Sequence, residues 1–102
     1  MANFIKVAKM SGLKEDVPNG FEVSGVKILL AKVNGKVYAI NSVCSHAGGP
    51  LEKGRCESGV VTCPWHKSEF KVEDGSVVQG PAIKTQQSYK VKIVGDDVLV
   101  EI

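Results

Sequence analysis

Nothing in this 102-residue chain approaches the roughly 18–20 consecutive apolar residues that a membrane-spanning helix needs. The opening Met1-Ala2-Asn3-Phe4-Ile5-Lys6 lacks the basic start and apolar middle of a signal peptide. A soluble, cytoplasmic protein without a membrane partner is therefore expected. Charge of one sign is also missing: thirteen Lys and Arg face eleven Asp and Glu, for a net charge of +2. The lysines are scattered and aromatics make up only 6%, so the basic, aromatic-interleaved surface that binds nucleic acid is not expected. Cysteine is scarce and odd in number, at three. One thiol at least has no disulfide partner within the chain, which suits a reducing compartment. No helical period of useful length, internal repeat or low-complexity segment is present.

What is there reads as strands. Turn signals recur every eight to twelve residues, the rhythm of an all-β sandwich or barrel. Strands are expected at Phe4–Met10, Phe21–Ser24, Val26–Val33, Lys36–Ile40, Val60–Thr62, Phe70–Val72 and Asp97–Ile102. Tyr89, Val91 and Ile93 alternate with Lys90 and Lys92, as in a half-buried strand. Asn34-Gly35 is a strong two-residue hairpin signal, because both positions tolerate positive φ, and a single helical turn is conceivable over Leu13–Asp16. The expected organisation is one antiparallel β domain over residues 1–102. Residues 1–41 and 82–102 form its base, and about 42–81 an inserted lobe.

The lobe carries the chemistry. Both histidines of the chain and two of its cysteines fall into Cys44-Ser45-His46-Ala47-Gly48-Gly49-Pro50-Leu51 and Cys63-Pro64-Trp65-His66. Thiolate and imidazole are the ligands that iron and zinc select, so a four-ligand metal site is the first expectation. In extended chain, Cys44 and His46 lie roughly 6.5 Å apart along the backbone. That is awkward for two ligands of one zinc ion at about 2.0–2.3 Å, and more comfortable for ligands of two neighbouring irons. From spacing alone both a zinc site and a diiron cluster stay open.

The residues around these ligands narrow the choice. CSHAGGPL followed by CPWH closely resembles the two cluster-binding loops of the Rieske family, in particular its small soluble ferredoxins, and Gly80-Pro81-Ala82 resembles the third, proline-bearing loop. The resemblance implies one [2Fe–2S] cluster with Cys44 and Cys63 on one iron and His46 and His66 on the other. Two ferric ions, two sulfides and two thiolates sum to roughly zero, against about −2 for a four-cysteine cluster, so a buried Rieske centre accepts an electron more readily. The implied function is one-electron transfer from a flavin- or ferredoxin-type reductase to a terminal oxidoreductase such as a Rieske-type oxygenase. The chain would be a carrier rather than an enzyme. The same family also suggests a small subunit of a nitrite-reductase-like enzyme, and a structural zinc module is the rival outside it.

Around the ligands, Gly48 and Gly49 are expected to let backbone approach the cluster, and Pro64 and Trp65 to stiffen and shield the second loop. The resemblance implies that high-potential relatives join their loops by a disulfide at the positions of Gly49 and Trp65. It also implies a tyrosine hydroxyl near the cluster where this chain has Phe70; Ser68 matches a serine that donates one hydrogen bond. A midpoint between about −200 and 0 mV is therefore expected. Lys67 stands where glycine is usual in the family, which implies local strain or a different turn if that glycine has positive φ. With Lys53, Arg55 and Lys71 it is expected to place positive charge beside the site. Cys56 is expected to be a small apolar side chain between the loops.

Overall fold

Three dipeptides set the tightest turns. Ser24-Gly25, Asn34-Gly35 and Ser58-Gly59 each hold both residues at positive φ (50° and 80°, 52° and 79°, 51° and 80°). This conformation closes a two-residue hairpin with the twist its strands require. In this computed structural model, which describes residues 3–44, 48–65, 67–80 and 84–102, these turns help to organise eleven strands. They are β1 (Phe4–Lys9), β2 (Asn19–Val23), β3 (Val26–Val33), β4 (Lys36–Asn41), β5 (Arg55–Glu57), β6 (Val60–Thr62), β7 (Glu69–Lys71), β8 (Val77–Gln79), β9 (Ser88–Tyr89), β10 (Val91–Val94) and β11 (Asp97–Glu101). They form three antiparallel sheets with orders β1-β11-β10, β2-β3-β4-β9 and β5-β6-β7-β8. The all-β fold expected from the sequence is the fold observed.

Strand β3 explains how one small chain builds two cores. Its run Ile28-Leu29-Leu30-Ala31 is wholly buried, and successive side chains point to opposite faces of a strand. Ile28 and Leu30 pack with Leu13, Val37, Ala39, Val98 and Val100, residues of the β2-β3-β4-β9 sheet, of the β1-β11-β10 sheet and of the loop before β2. Leu29 and Ala31 pack with Ile40, Cys44, Leu51, Cys56, Val61, Cys63, Phe70 and Val72 on the other side. A sheet covered on both faces has an uninterrupted apolar strand at its centre, and β3 reads that way. The second core is the one in which Cys44 and Cys63 are buried.

Several local expectations need correction. Leu13–Asp16 makes no helical turn; the short 3₁₀ turn is at Met10–Gly12, and Glu15 bridges to Lys32 instead. The Glu15 carboxylate accepts hydrogen bonds from the Asn34 and Gly35 amides (2.9 and 2.7 Å), which fastens the hairpin turn. Ile93 is 44% exposed, because β10 is the outer strand of its sheet, with no strand beyond it among the described residues. Strands β5 and β8, of three residues each, were not expected. Among the described residues no helix is long and apolar enough to cross a membrane.

Candidate metal centre

The two cysteines of the Cys–His segments open loops of the same construction. The Cys44 amide donates to the Gly49 carbonyl (2.8 Å), and the Gly48 amide donates back to the Cys44 carbonyl (2.9 Å). In the second loop the Cys63 amide donates to the Ser68 carbonyl (2.8 Å), and the Lys67 amide donates back to the Cys63 carbonyl (3.0 Å). Each loop therefore closes cysteine to the fifth residue on, with the fourth residue in the left-handed region: Gly48 at φ 76° and Lys67 at φ 64°. The strain expected at Lys67 is present, and its cause is this shared turn, which holds glycine in one loop and lysine in the other.

Both cysteines are buried, at 3% and 1% exposure, in one apolar cluster with Phe70 and Leu51. None of the chain's three cysteines forms a disulfide. The two glycines of the first loop serve different ends. A Cβ on Gly48 would meet nothing within 4 Å, so glycine serves its φ there. A Cβ on Gly49 would lie 2.8 Å from Cys63 Sγ and 3.1 Å from Trp65 Cγ, so glycine there makes room for the other loop. The Gly48 amide is spent on the Cys44 carbonyl. Positions 49 and 65 are thus in contact, and an indole on a glycine stands where the resemblance implies a disulfide. Trp65 is otherwise 56% exposed, so its shielding is confined to one face.

Ser68 and Phe70 are wholly buried beneath the second loop, and Phe70 pairs with Val61 and Val77 across the β6-β7-β8 sheet. His46, His66 and Pro81 lie outside the described residues. Cys56 faces the same core as Cys44 and Cys63. Burial, and secondarily the charge of Asp16, pushes its thiol up from about 9 to about 11. That is an unreactive apolar side chain, as expected.

The positive charge expected beside the second loop is diluted. A cleft of about 570 Å³ next to Cys63 and Pro64 is lined by Lys53, Arg55 and Lys67, but also by Glu57 and Glu69. Arg55 pairs with Glu57 at 3.7 Å, both side chains exposed. Across the sheet, Arg55, Thr62 and Glu69 stand in one row. Two polar anchors have no counterpart in any sequence motif. Ser42 Oγ donates to Glu52 Oε1 (2.5 Å), tying the chain before Cys44 to the 3₁₀ turn at Leu51–Lys53. Gln86, also buried, donates from Nε2 to the carbonyls of Asn41 and Val43. Neither carries a sequence signal, since both depend on contacts between distant or irregular segments.

Comparison with known proteins agrees with this arrangement. The chain is 38% identical over 82 residues to the ferredoxin component of biphenyl 2,3-dioxygenase from Rhodococcus jostii, covering 80% of this chain and 77% of that protein. It is 36% identical over 90 residues to apoptosis-inducing factor 3 of Homo sapiens, covering 84% of this chain but only 15% of that much longer protein. The solved ferredoxin of carbazole 1,9a-dioxygenase from Nocardioides aromaticivorans superposes with a TM-score of 0.92 at 31% identity, covering 96% of both chains. Residues 3–90 match the Rieske [2Fe-2S] domain. The chain therefore belongs to the Rieske family, whose domain carries one [2Fe–2S] cluster.

Proposed function

We propose that this chain is a one-electron carrier in which Cys44, His46, Cys63 and His66 hold the cluster. When bound, the cluster supplies a single reversible redox step and no bond-making chemistry. The described residues suit such a group. Two buried thiols share one apolar floor, and they open loops of matching construction. Position 49 leaves no room for a side chain against Cys63 Sγ. Thiolates are soft donors that iron–sulfur clusters select. The observation that carries the reading is the pair of twin loops, each with cysteine at its first position and a histidine two or three residues on.

The chain's own residues govern how the group is held. The turns closed by Gly48 and Lys67 fix the backbone on both sides of each cysteine, and the Leu51–Phe70 core excludes water from the thiol side. A rigid, dry setting lowers the cost of rearrangement that accompanies electron transfer. Residues 42–81 act as the redox lobe, and residues 1–41 and 82–102 as the base that carries it. Electrons come from a flavin- or ferredoxin-type reductase and go to a terminal oxidoreductase; the relative named as a ferredoxin component of a dioxygenase supports an oxygenase in that place. The likeness to that carrier, over 80% of this chain, supports a carrier over an enzyme. Three cysteines without a disulfide suit a reducing, cytoplasmic setting.

Protein-film voltammetry tests the reading. A single one-electron wave between about −200 and 0 mV is the expected result. A wave at +200 mV or above would contradict the low-potential assignment, and no wave at all would contradict the carrier.

A further inference from the structure

Gln86 is one of only three buried polar side chains among the described residues, at 4% exposure, and it lies far in sequence from either cysteine loop. Burying an amide is costly unless its donors are used. Here both Nε2 hydrogens are used, on the carbonyls of Asn41 (2.8 Å) and Val43 (2.7 Å). The Val43 carbonyl belongs to the peptide unit whose amide is that of Cys44. That amide in turn donates to the Gly49 carbonyl at 2.8 Å. The peptide leading into Cys44 is therefore held from both sides, by Gln86 on its oxygen and by the loop closure on its nitrogen.

Gln86 is itself anchored. Its backbone amide donates to the Gly75 carbonyl (2.7 Å), and the next residue's carbonyl accepts from the Asn41 amide (2.8 Å). The approach at Gly75 is so close that a Cβ there would overlap the Gln86 carbonyl. Three segments meet at this one residue: the chain at and after the end of β4 on its side chain, the turn after β7 on its backbone, and the chain that follows position 83. The second cysteine has no equivalent clamp among the described residues; the Cys63 peptide is held by its own loop and by β6.

We propose that Gln86 is the positioning residue for Cys44: its carboxamide fixes the peptide plane before Cys44 and so aims the thiolate at its iron. The proposal rests on Cys44 being a ligand. Removing the Nε2 donors takes this partner from the Asn41 and Val43 carbonyls and leaves the Val43–Cys44 peptide held on its nitrogen side alone. Cys63 is not touched by the same change.

The test compares holo-protein variants Gln86→Met, which keeps length and packing without donors, and Gln86→Glu, which keeps shape with acceptors only. Iron and sulfide content of the unsubstituted protein comes first; zinc, or no cluster, would mean that the underlying reading fails. Given a cluster, both variants are expected to shift the reduced-state EPR signal and the midpoint potential. They should also speed cluster loss to a chelator about tenfold, as loss of groups that orient metal ligands does. In the apo forms, site-resolved alkylation should accelerate at Cys44 and not at Cys63. Unchanged EPR, potential and release in Gln86→Met would overturn the proposal, as would equal acceleration at both cysteines. Should neither variant fold, hydrogen exchange in the unsubstituted protein decides: slow exchange of the Gln86 side-chain amide relative to that of exposed Gln87 supports the clamp, and equal rates overturn it.

Discussion

Adding one methyl group at Gly49 and one at Gly48 separates the two ways in which glycine serves the first loop. At Gly49 the new Cβ would lie 2.8 Å from Cys63 Sγ and 3.1 Å from the Trp65 ring. Overpacking of this kind costs about 1–3 kcal/mol. Reduced freedom of the unfolded chain returns about 0.4–1 kcal/mol. Gly49→Ala should therefore destabilise the apo-protein by about 1–2 kcal/mol, the cost falling where the Cys63 sulfur must move. At Gly48 there is open space, and the penalty is the left-handed φ of 76° alone. That conformation costs a residue with a Cβ roughly 1–2 kcal/mol, less the same return from the unfolded chain. Lys67 already adopts the equivalent conformation in the second loop, so Gly48→Ala should keep the turn. Urea unfolding of the apo-proteins and iron retention of the holo-proteins under chelator read the two effects separately. Gly49→Ala should lose iron markedly faster than the unsubstituted protein, and Gly48→Ala at close to its rate. Faster loss from Gly48→Ala than from Gly49→Ala would refute the reasoning.

Three further outcomes follow from the same geometry. Lys67→Gly should stabilise the protein by about 0.5–1 kcal/mol, the left-handed cost removed less glycine's extra chain entropy; a lower urea midpoint would contradict it. Phe70→Tyr places a hydroxyl in the core that holds both cysteines. One added hydrogen bond to a charged acceptor, about 1.5–3 kcal/mol, should raise the midpoint by roughly 60–130 mV; a folded variant with an unchanged potential would show that the hydroxyl points elsewhere. Cys56 keeps its proton when folded up to a pH of about 11, whereas the unfolded thiol releases it from about 9. The folded form then binds more protons in that window, so stability falls as pH rises through it. Cys56→Ala should flatten that part of the stability profile, and an unaltered slope would discount the buried thiol.

How much of this was legible beforehand depended on whether a residue's role was local. The Asn34-Gly35 hairpin and the flanking strands were readable because both turn positions need positive φ and the apolar run between turns is continuous. The strain at Lys67 was readable from one lysine in a glycine's place. Strands β5 and β8 were not: Arg55-Cys56-Glu57 has charge on both sides of its one apolar residue and Val77-Val78-Gln79 does not alternate, although Ser58-Gly59 is a turn signal of the same kind as Asn34-Gly35. Ile93 followed the right alternation and was still exposed, because position at a sheet edge is not encoded in the strand itself. Gln86 and the Ser42–Glu52 contact were invisible for a related reason. Their partners are backbone carbonyls and side chains brought together only by the fold. The charge expected around the second loop is diluted by register: across the sheet Glu69 enters the row of Arg55 and Glu57 the row of Lys71, pairings that spacing along the chain does not show.

The claim beneath all of this is that the paired loops hold two irons through two cysteines and two histidines. Metal and labile-sulfide analysis of the purified protein, with its optical and EPR spectra, addresses it directly. Two iron and two sulfide per chain, a red-brown oxidised form and a Rieske-type signal on reduction are predicted, all lost in Cys44→Ala or Cys63→Ala and retained in Cys56→Ala. A colourless protein with one zinc per chain would contradict it.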